Sequence, residues 1–412
     1  MACQRFLNFR PTDTPLWRKR DKKYEVLPTV EEMIKDIVNF YSIWSKKERT
    51  AEKDSFAETK REMMMEFLFR LQQDENIGLD EKDKFEHVVN DELKSFEKTG
   101  QKRKCPESTV DTPRHSNCNE SSSEKQRSDQ DSLPNTADIK DFFNFFPTDK
   151  DSKKDNKMIE TRNLLRGYRH LKHEVKELSV EEQSSYIGEI DVEICIQKCH
   201  EVLMRDLPYK TKTDAGKFSV LQRVTNFDGE DFLYPWFATE EVAFQAVDTI
   251  VLEYNKMVME ISTKEDKQEQ IDLSLKCATV MLFAFLSLHP FSNGNGRLAR
   301  LLCSHCLKVF CPFPTPIYNV FSQSNKDDYL KAVVNARQNI KSDKNQKKKN
   351  QKKMDSDCAM KHAQMILEQK PNELCSLVIE SNWFTWRQFL HRIGEDIELF
   401  DFERQTREII AS

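Results

Sequence analysis

The sequence predicts a mainly α-helical protein carrying one small β-hairpin. Three observations lead there. Apolar residues recur at helical spacing, as at Val30, Met33, Ile34, Ile37, Val38, Tyr41 and Trp44. Glycine is scarce, 9 in 412 residues, so it is kept for places that need backbone freedom. One Asp-Gly pair, Asp228-Gly229, stands between two short runs that end in aromatic and aliphatic residues, a strong hairpin signal.

Taken in order, residues 1–98 read as an N-terminal helical module. Pro28-Thr29 with Glu32 forms a capping box for the first long helix. Further helices are expected over Phe56–Leu71 and Lys82–Phe96. Residues 99–137 are rich in Ser, Thr, Asp, Asn and Pro, which predicts a disordered linker. Within it, Lys102-Arg103-Lys104 reads as solvated charge or as an import signal. The main domain is expected over 138–340. It holds a helix over Asp191–Met204, the hairpin led in by Gly216–Val220, and a helix capped by Thr239. A buried helix over Asp272–Leu288 follows, then helices over Arg297–Val309 and Asp328–Gln338. Residues 341–357 form a lysine-rich linker, and 358–412 a last helical segment docked by Trp383, Phe384 and Trp386. One short repeat stands out: Leu7–Asp13 (Leu-Asn-Phe-Arg-Pro-Thr-Asp) is echoed by Phe143–Asp149 (Phe-Asn-Phe-Phe-Pro-Thr-Asp). Two docking strands, a local duplication or coincidence would each produce it.

Hydrophobic residues make up 38% and charged residues 32%, enough to bury a core under a polar surface. A net charge of -5 argues against a general nucleic-acid or membrane binder. The N-terminus lacks the apolar core of a signal peptide, and the run from Cys277 to Leu288 is too short to span a bilayer. The 11 cysteines are scattered, which points to a reducing, cytoplasmic or nuclear location. Cys303, His305, Cys306 and Cys311 hint at zinc spacing. Their place on an apolar helix favours buried thiols instead.

The densest chemistry lies at His289-Pro290-Phe291-Ser292-Asn293-Gly294-Asn295-Gly296-Arg297-Leu298-Ala299-Arg300. Two glycines let backbone N–H groups turn inward, and the helix start that follows points more of them the same way. That is an anion cradle suited to phosphate. A histidine at its lip suggests a base beside a phosphorus centre. Arg297 and Arg300, at i and i+3, share one face of the helix start and add permanent charge.

This string resembles the signature of the Fic (Fido) family, H-P-F-x-[D/E]-G-N-G-R-x-x-R. His200 followed by Gly216-Lys217-Phe218, Tyr234-Pro235 before a helix, and Tyr329–Val333 resemble the flanking elements over about 180 residues. The resemblance implies a Fic-type helical domain with a small β-hairpin flap, here with N- and C-terminal helical extensions. It implies transfer of AMP from ATP, with Mg²⁺ or Mn²⁺, to a Ser, Thr or Tyr hydroxyl of a target protein. His289 would be the general base, and Asn293 would sit at the metal. Gly294, Asn295, Gly296, Arg297 and Arg300 would hold the phosphates, and Tyr329 would approach the nucleoside. Asp231, Phe232 and Leu233 would clamp the target as an added strand. The partners implied are ATP and that target, with no nucleic acid and no membrane; a homodimer is compatible with it.

The chain departs from the family pattern at Asn293, where the family has an acid. It also departs at Ser219, in place of arginine, and at Arg337, in place of asparagine. The family's inhibitory helix, [S/T]-x-x-x-E-[G/N], has a degenerate echo at Asn156–Thr161, which makes Glu160 the candidate to restrain Arg300. The alternative to an active transferase is a degenerate Fic domain that binds nucleotide or protein without turnover.

Overall fold

Each long helix follows from a cap and an apolar stripe. The computed structural model of the chain describes residues 2–20, 27–50, 56–102, 150–181, 188–207, 213–227, 230–320, 325–337, 340 and 352–400. A short helix α1 (Ala2–Phe6) leads to α2 (Val30–Thr50). The capping box forms as expected: Thr29 N donates to Glu32 Oε2 at 2.8 Å, and Glu32 N donates to Thr29 Oγ1 at 3.2 Å. Helices α3 (Ala57–Glu75) and α4 (Lys82–Lys102) follow. Residues 99–102, read as linker from composition, continue α4; the rest of that linker, 103–137, lies outside the described residues. So does the second copy of the short repeat. The first copy is docked. Leu7 and Phe9 are buried, Thr12 N donates to Ser376 Oγ at 2.7 Å, and Asp13 Oδ1 accepts from Val30 N.

Helix α5 (Lys150–Glu181) is 32 residues long. The stretch expected as one helix over 191–204 starts as a wider π-type turn, Val192–Lys198, before α6 (Cys199–Met204). The hairpin pairs β1 (Val224–Phe227) with β2 (Glu230–Leu233), Val224 opposite Leu233 and Phe227 opposite Glu230. Helix α7 (Glu240–Ser262) is capped by Thr239, whose Oγ1 accepts from Val242 N at 3.2 Å. Helix α8 (Lys267–Leu288) begins earlier than its apolar run suggests, because Asp266 accepts from both Gln268 N and Glu269 N. Helix α9 (Asn295–Leu307) likewise starts two residues inside the glycine motif. Helices α10 (Asn325–Arg337), α11 (Ser356–Leu367) and α12 (Asn372–Arg392) complete the set.

Helix α8 is the axis of the fold. It is long and apolar enough to cross a membrane by composition, but it is mostly buried against α2, α7, α9, α11 and α12. Buried side chains from the N-terminal, central and C-terminal segments form one contiguous core. The last segment is not peripheral. Helix α12 is buried along most of its length and packs against α2, α8 and α10. Trp383 Nε1 donates to Asp36 Oδ2 at 2.9 Å, and Trp386 stacks edge-on against Phe313. Cys303, Cys306 and Cys311 are buried and reduced, packed as small apolar side chains. Among the described residues no group of three or more His, Cys, Asp or Glu is placed to hold a metal.

Candidate active site

The motif forms the turn between the end of α8 and the start of α9. His289 closes α8 in a left-handed conformation, φ 50°, with its N–H donating to Phe285 O at 2.9 Å. A non-glycine residue in that region is held there by its surroundings. Gly294 (φ 75°) makes the second left-handed step and caps α9. Between them the loop is tied internally. Phe291 N donates to Asn295 Oδ1 at 3.0 Å, and Asn295 Nδ2 donates to Phe291 O at 2.8 Å. The buried Asn295 side chain therefore shapes the loop, and only its backbone N–H is left to face a phosphate.

His200 fixes the loop from outside. Its Nδ1 accepts from Gly216 N at 2.9 Å, which puts the ring proton on Nε2, and Nε2 donates to Asn293 O at 3.0 Å. The ring stacks on Phe291 with centroids 3.7 Å apart. Burial, with help from Arg297, pushes its pKa down to about 4, so it stays neutral and keeps this tautomer. His200 lies on the helix the sequence predicts, and this brace leaves no local pattern in the sequence.

His289 is half-buried, with its ring face stacked on Tyr234 at the hairpin exit, centroids 4.0 Å apart. Its Nδ1 is shut off from solvent and makes no hydrogen bond of good geometry; the Leu286 carbonyl favours the proton on that side. That leaves Nε2 as the basic nitrogen. Burial first, then the positive charges of Arg223 and Arg337, push the pKa down to about 3.

The Glu75 carboxylate lies beside the start of α9, close to Gly296. A Cβ at Gly296 would come within 2.7 Å of Glu75 Oε1 and 2.9 Å of Oε2. Glu75 also pairs with Arg300 Nη2 at 3.3 Å, and Asp74 pairs with Arg300 Nη1 at 3.4 Å. Both acids lie in the last turn of α3, which ends at the left-handed Asn76. Acids are disfavoured at a helix C-terminus, so their placement is explained by Arg300 and by the positive end of α9 opposite.

This overturns the assignment of Glu160. Its Oε2 accepts from Gly78 N at 2.8 Å, and it props the α3–α4 turn instead of holding Arg300. Tyr329 lies next to the same arginine. It is buried beneath the Arg300 guanidinium, 4.6 Å from ring centroid to carbon. Arg297 is buried and pairs with no carboxylate among the described residues. The flap residues lie where the hairpin puts them. Asp231 accepts from Asn226 Nδ2 at 3.0 Å across the strands, and Arg337 lies over Phe232 and Tyr234 while Nη2 donates to Leu233 O.

The donor set suits a metal only weakly. Asn293 is exposed and offers one neutral oxygen, already accepting from Gly294 N at 2.7 Å. Such a ligand fits a cation held chiefly by substrate phosphates, the usual mode for Mg²⁺.

Comparison with known proteins places the central segment in a family. Residues 193–307 match the family model "Fic/DOC family", and the chain carries a Fic/Fido domain. A curated relative, the ribonucleoside-diphosphate reductase small chain of Ostreid herpesvirus 1 (isolate France), is 28% identical over 188 residues, 45% of this chain and 28% of that protein. A Fido domain-containing protein of Dictyostelium discoideum is 40% identical over 57 residues, 14% of this chain and 36% of that protein. The chain thus spans well under half of the curated relatives it matches. Among solved structures, a Fic domain containing signaling protein from Bacteroides thetaiotaomicron VPI-5482 aligns with a TM-score of 0.47 and 15% identity, over 89% of this chain and 99% of that one. Fic-1 from C. elegans aligns with a TM-score of 0.46 and 13% identity, over 88% and 72%.

Proposed function

We propose that this chain transfers AMP from ATP to a Ser, Thr or Tyr hydroxyl of a target protein, and that Asp74 and Glu75 hold it in a closed state. The observation that carries the reading is the Glu75 carboxylate lying beside Gly296 at the start of α9 and paired with Arg300. A carboxylate beside that helix start and paired with Arg300 supports an anion site there, since a helix N-terminus and a guanidinium both favour negative charge. A triphosphate would take the place of that carboxylate, with the backbone N–H groups of Gly294, Asn295 and Gly296 on phosphate oxygens and Arg297 and Arg300 neutralising charge.

In the reaction, His289 Nε2 takes the proton of the target hydroxyl as its oxygen bonds to the α-phosphorus. The bond between the α-phosphorus and the bridging oxygen breaks, and pyrophosphate leaves with that electron pair. A divalent cation, when bound beside Asn293, supplies charge neutralisation on the phosphates. Tyr234 fixes the plane of the imidazole. Burial, and after it the charges of Arg223 and Arg337, depress the His289 pKa and make it a poor base in the empty site. The negative charge of a bound triphosphate reverses that field, so the base gains strength as the donor arrives. The target segment is read as an extra strand along the hairpin at Asp231–Leu233.

Asn293 favours a second reading, a Fic domain that binds nucleotide without turnover, because its neutral oxygen gives a cation little hold. Incubation with α-labelled or γ-labelled ATP in parallel separates the two readings. Label on protein from α-labelled ATP alone supports AMP transfer. Nucleotide binding with no label from either, under Mg²⁺ and Mn²⁺, supports the second.

A further inference from the structure

We infer that Arg223 is a positioning residue: it ties the His289-Pro290 turn to the root and the exit of the hairpin, and so sets the plane of the base. The inference rests on His289 being that base. Arg223 is buried, 6% exposed. Its Nη1 donates to Ser219 O at 2.9 Å and to Pro290 O at 3.2 Å, and its Nη2 donates to Pro235 O. Those three carbonyls belong to the hairpin root, the catalytic turn and the hairpin exit. The guanidinium also lies 5.1 Å from the Phe237 ring centre. The link is reinforced by backbone: Ser219 N donates to Pro290 O at 2.8 Å, and Tyr234 N donates to Arg223 O at 3.1 Å.

The carbonyls chosen explain the consequence. Pro290 follows His289, and Pro235 follows Tyr234, so one guanidinium holds the residue after each of the two stacked rings. It thereby sets the 4.0 Å face-to-face contact of imidazole and phenol. Proline fixes φ at both places, so moving either carbonyl moves the ring before it. Stability alone does not call for this arrangement. No carboxylate pairs with Arg223 among the described residues, and its Nε is buried without a partner. A buried charge met only by carbonyl oxygens is costly, and a neutral residue of similar size would be cheaper. What a neutral residue or a lysine lacks is a planar fork that reaches three segments at once. The charged and titratable groups facing His289 are Arg223 at the hairpin root, Tyr234 at its exit and Arg337 at the end of α10; both arginines favour the neutral ring.

The test uses the full chain with Arg223→Lys and Arg223→Gln, and Tyr234→Leu as a control for the stack. The first readout is independent of activity. Stacking on Tyr234 shifts the His289 ring-proton resonances upfield, and Tyr234→Leu identifies that shift. Arg223→Gln is expected to lose most of the shift, and Arg223→Lys about half or more, because one ammonium cannot span the carbonyls. The second readout is AMP transfer. Both variants are expected to lose roughly tenfold or more in kcat while KM for ATP stays within about twofold, since the phosphate cradle is untouched. A wild-type stacking shift in both variants, or full kcat in Arg223→Lys, overturns the inference. Should Arg223→Gln fail to fold, Arg223→Lys alone decides on the same criteria. If the wild-type chain transfers no AMP at all, the functional reading fails, and the resonance shift still decides whether Arg223 sets the ring.

Discussion

Removing the carboxylates from Arg300 should open the nucleotide site. Arg300 is 2% exposed and pairs with Asp74 at 3.4 Å and Glu75 at 3.3 Å. At these distances the gross Coulomb attraction is about 5 kcal/mol per pair for an effective dielectric of about 20. Desolvation offsets most of it, and a net value of about 1.5–3 kcal/mol per charge-assisted contact is the usual range. Converted at about 1.4 kcal/mol per decade, removal of each carboxylate is expected to tighten ATP binding by about ten- to a hundredfold. Glu75→Gly alone should give a partial gain, because Asp74 keeps its hold. The double variant Asp74→Asn/Glu75→Gly should gain about a hundredfold or more over wild type. It should also lose stability, by about 3–5 kcal/mol, because Arg300 is then buried without a counter-charge. Saturating ATP should return that loss, since phosphate replaces the carboxylates. Equilibrium titration with ATP, run beside thermal melts with and without ATP, reads both effects. A folded double variant that binds ATP no more tightly than wild type, with a melt indifferent to ATP, would refute the idea that these acids occupy the phosphate site.

Three further outcomes follow from the same geometry. Glu160→Gly should lower stability by about 1–2 kcal/mol through loss of the bond to Gly78 N, and should leave ATP affinity within about threefold; a large gain in affinity would restore Glu160 as the restraint. Asn293→Asp keeps an oxygen for Gly294 N and adds a charge, so Mg²⁺ should support transfer at lower concentration; an unchanged Mg²⁺ dependence would remove residue 293 from the metal's surroundings. Acid should destabilise the fold early. His200, His305 and His362 are pushed down to about 4, and His289 to about 3, chiefly by burial. Their unfolded pKa is about 6.5, so the unfolded chain binds protons that the native state refuses. The stability is whole above about pH 6.5 and falls as pH drops toward about 4, by up to about 1.4 kcal/mol per pH unit for each histidine. A urea midpoint that stays flat between about pH 7 and about pH 5 would contradict this.

The fold was legible where a period or a cap wrote it into the sequence. Helix α2 with its capping box, the Asp-Gly hairpin and the buried α8 followed from local pattern. Helix α5 did not, because its first half is almost wholly charged and polar and shows no apolar stripe. The central place of α12 was invisible for another reason: its partners on α2 are more than three hundred residues away, as in the Trp383–Asp36 bond. In the site, the glycine motif pointed to an anion cradle and gave no sign of the carboxylate beside it. Leu71-Gln72-Gln73-Asp74-Glu75-Asn76 keeps the Glu-Asn of the inhibitory pattern and loses the leading Ser or Thr. The physical cue that could have found it was two acids closing a helix with no base in its last turn. Arg223 gave no signal at all, because its role depends on carbonyl groups that every residue carries.

The proposed reaction requires His289 to take a proton while the loop beside it holds a triphosphate. Its most direct measurement places His289→Ala in the Asp74→Asn/Glu75→Gly background and follows α-labelled ATP. The expected result is ATP binding within about threefold of the released parent and loss of transfer by at least about a hundredfold, the range for a removed general base. Transfer that persists at the parent's rate, with the alanine confirmed in place, would contradict it.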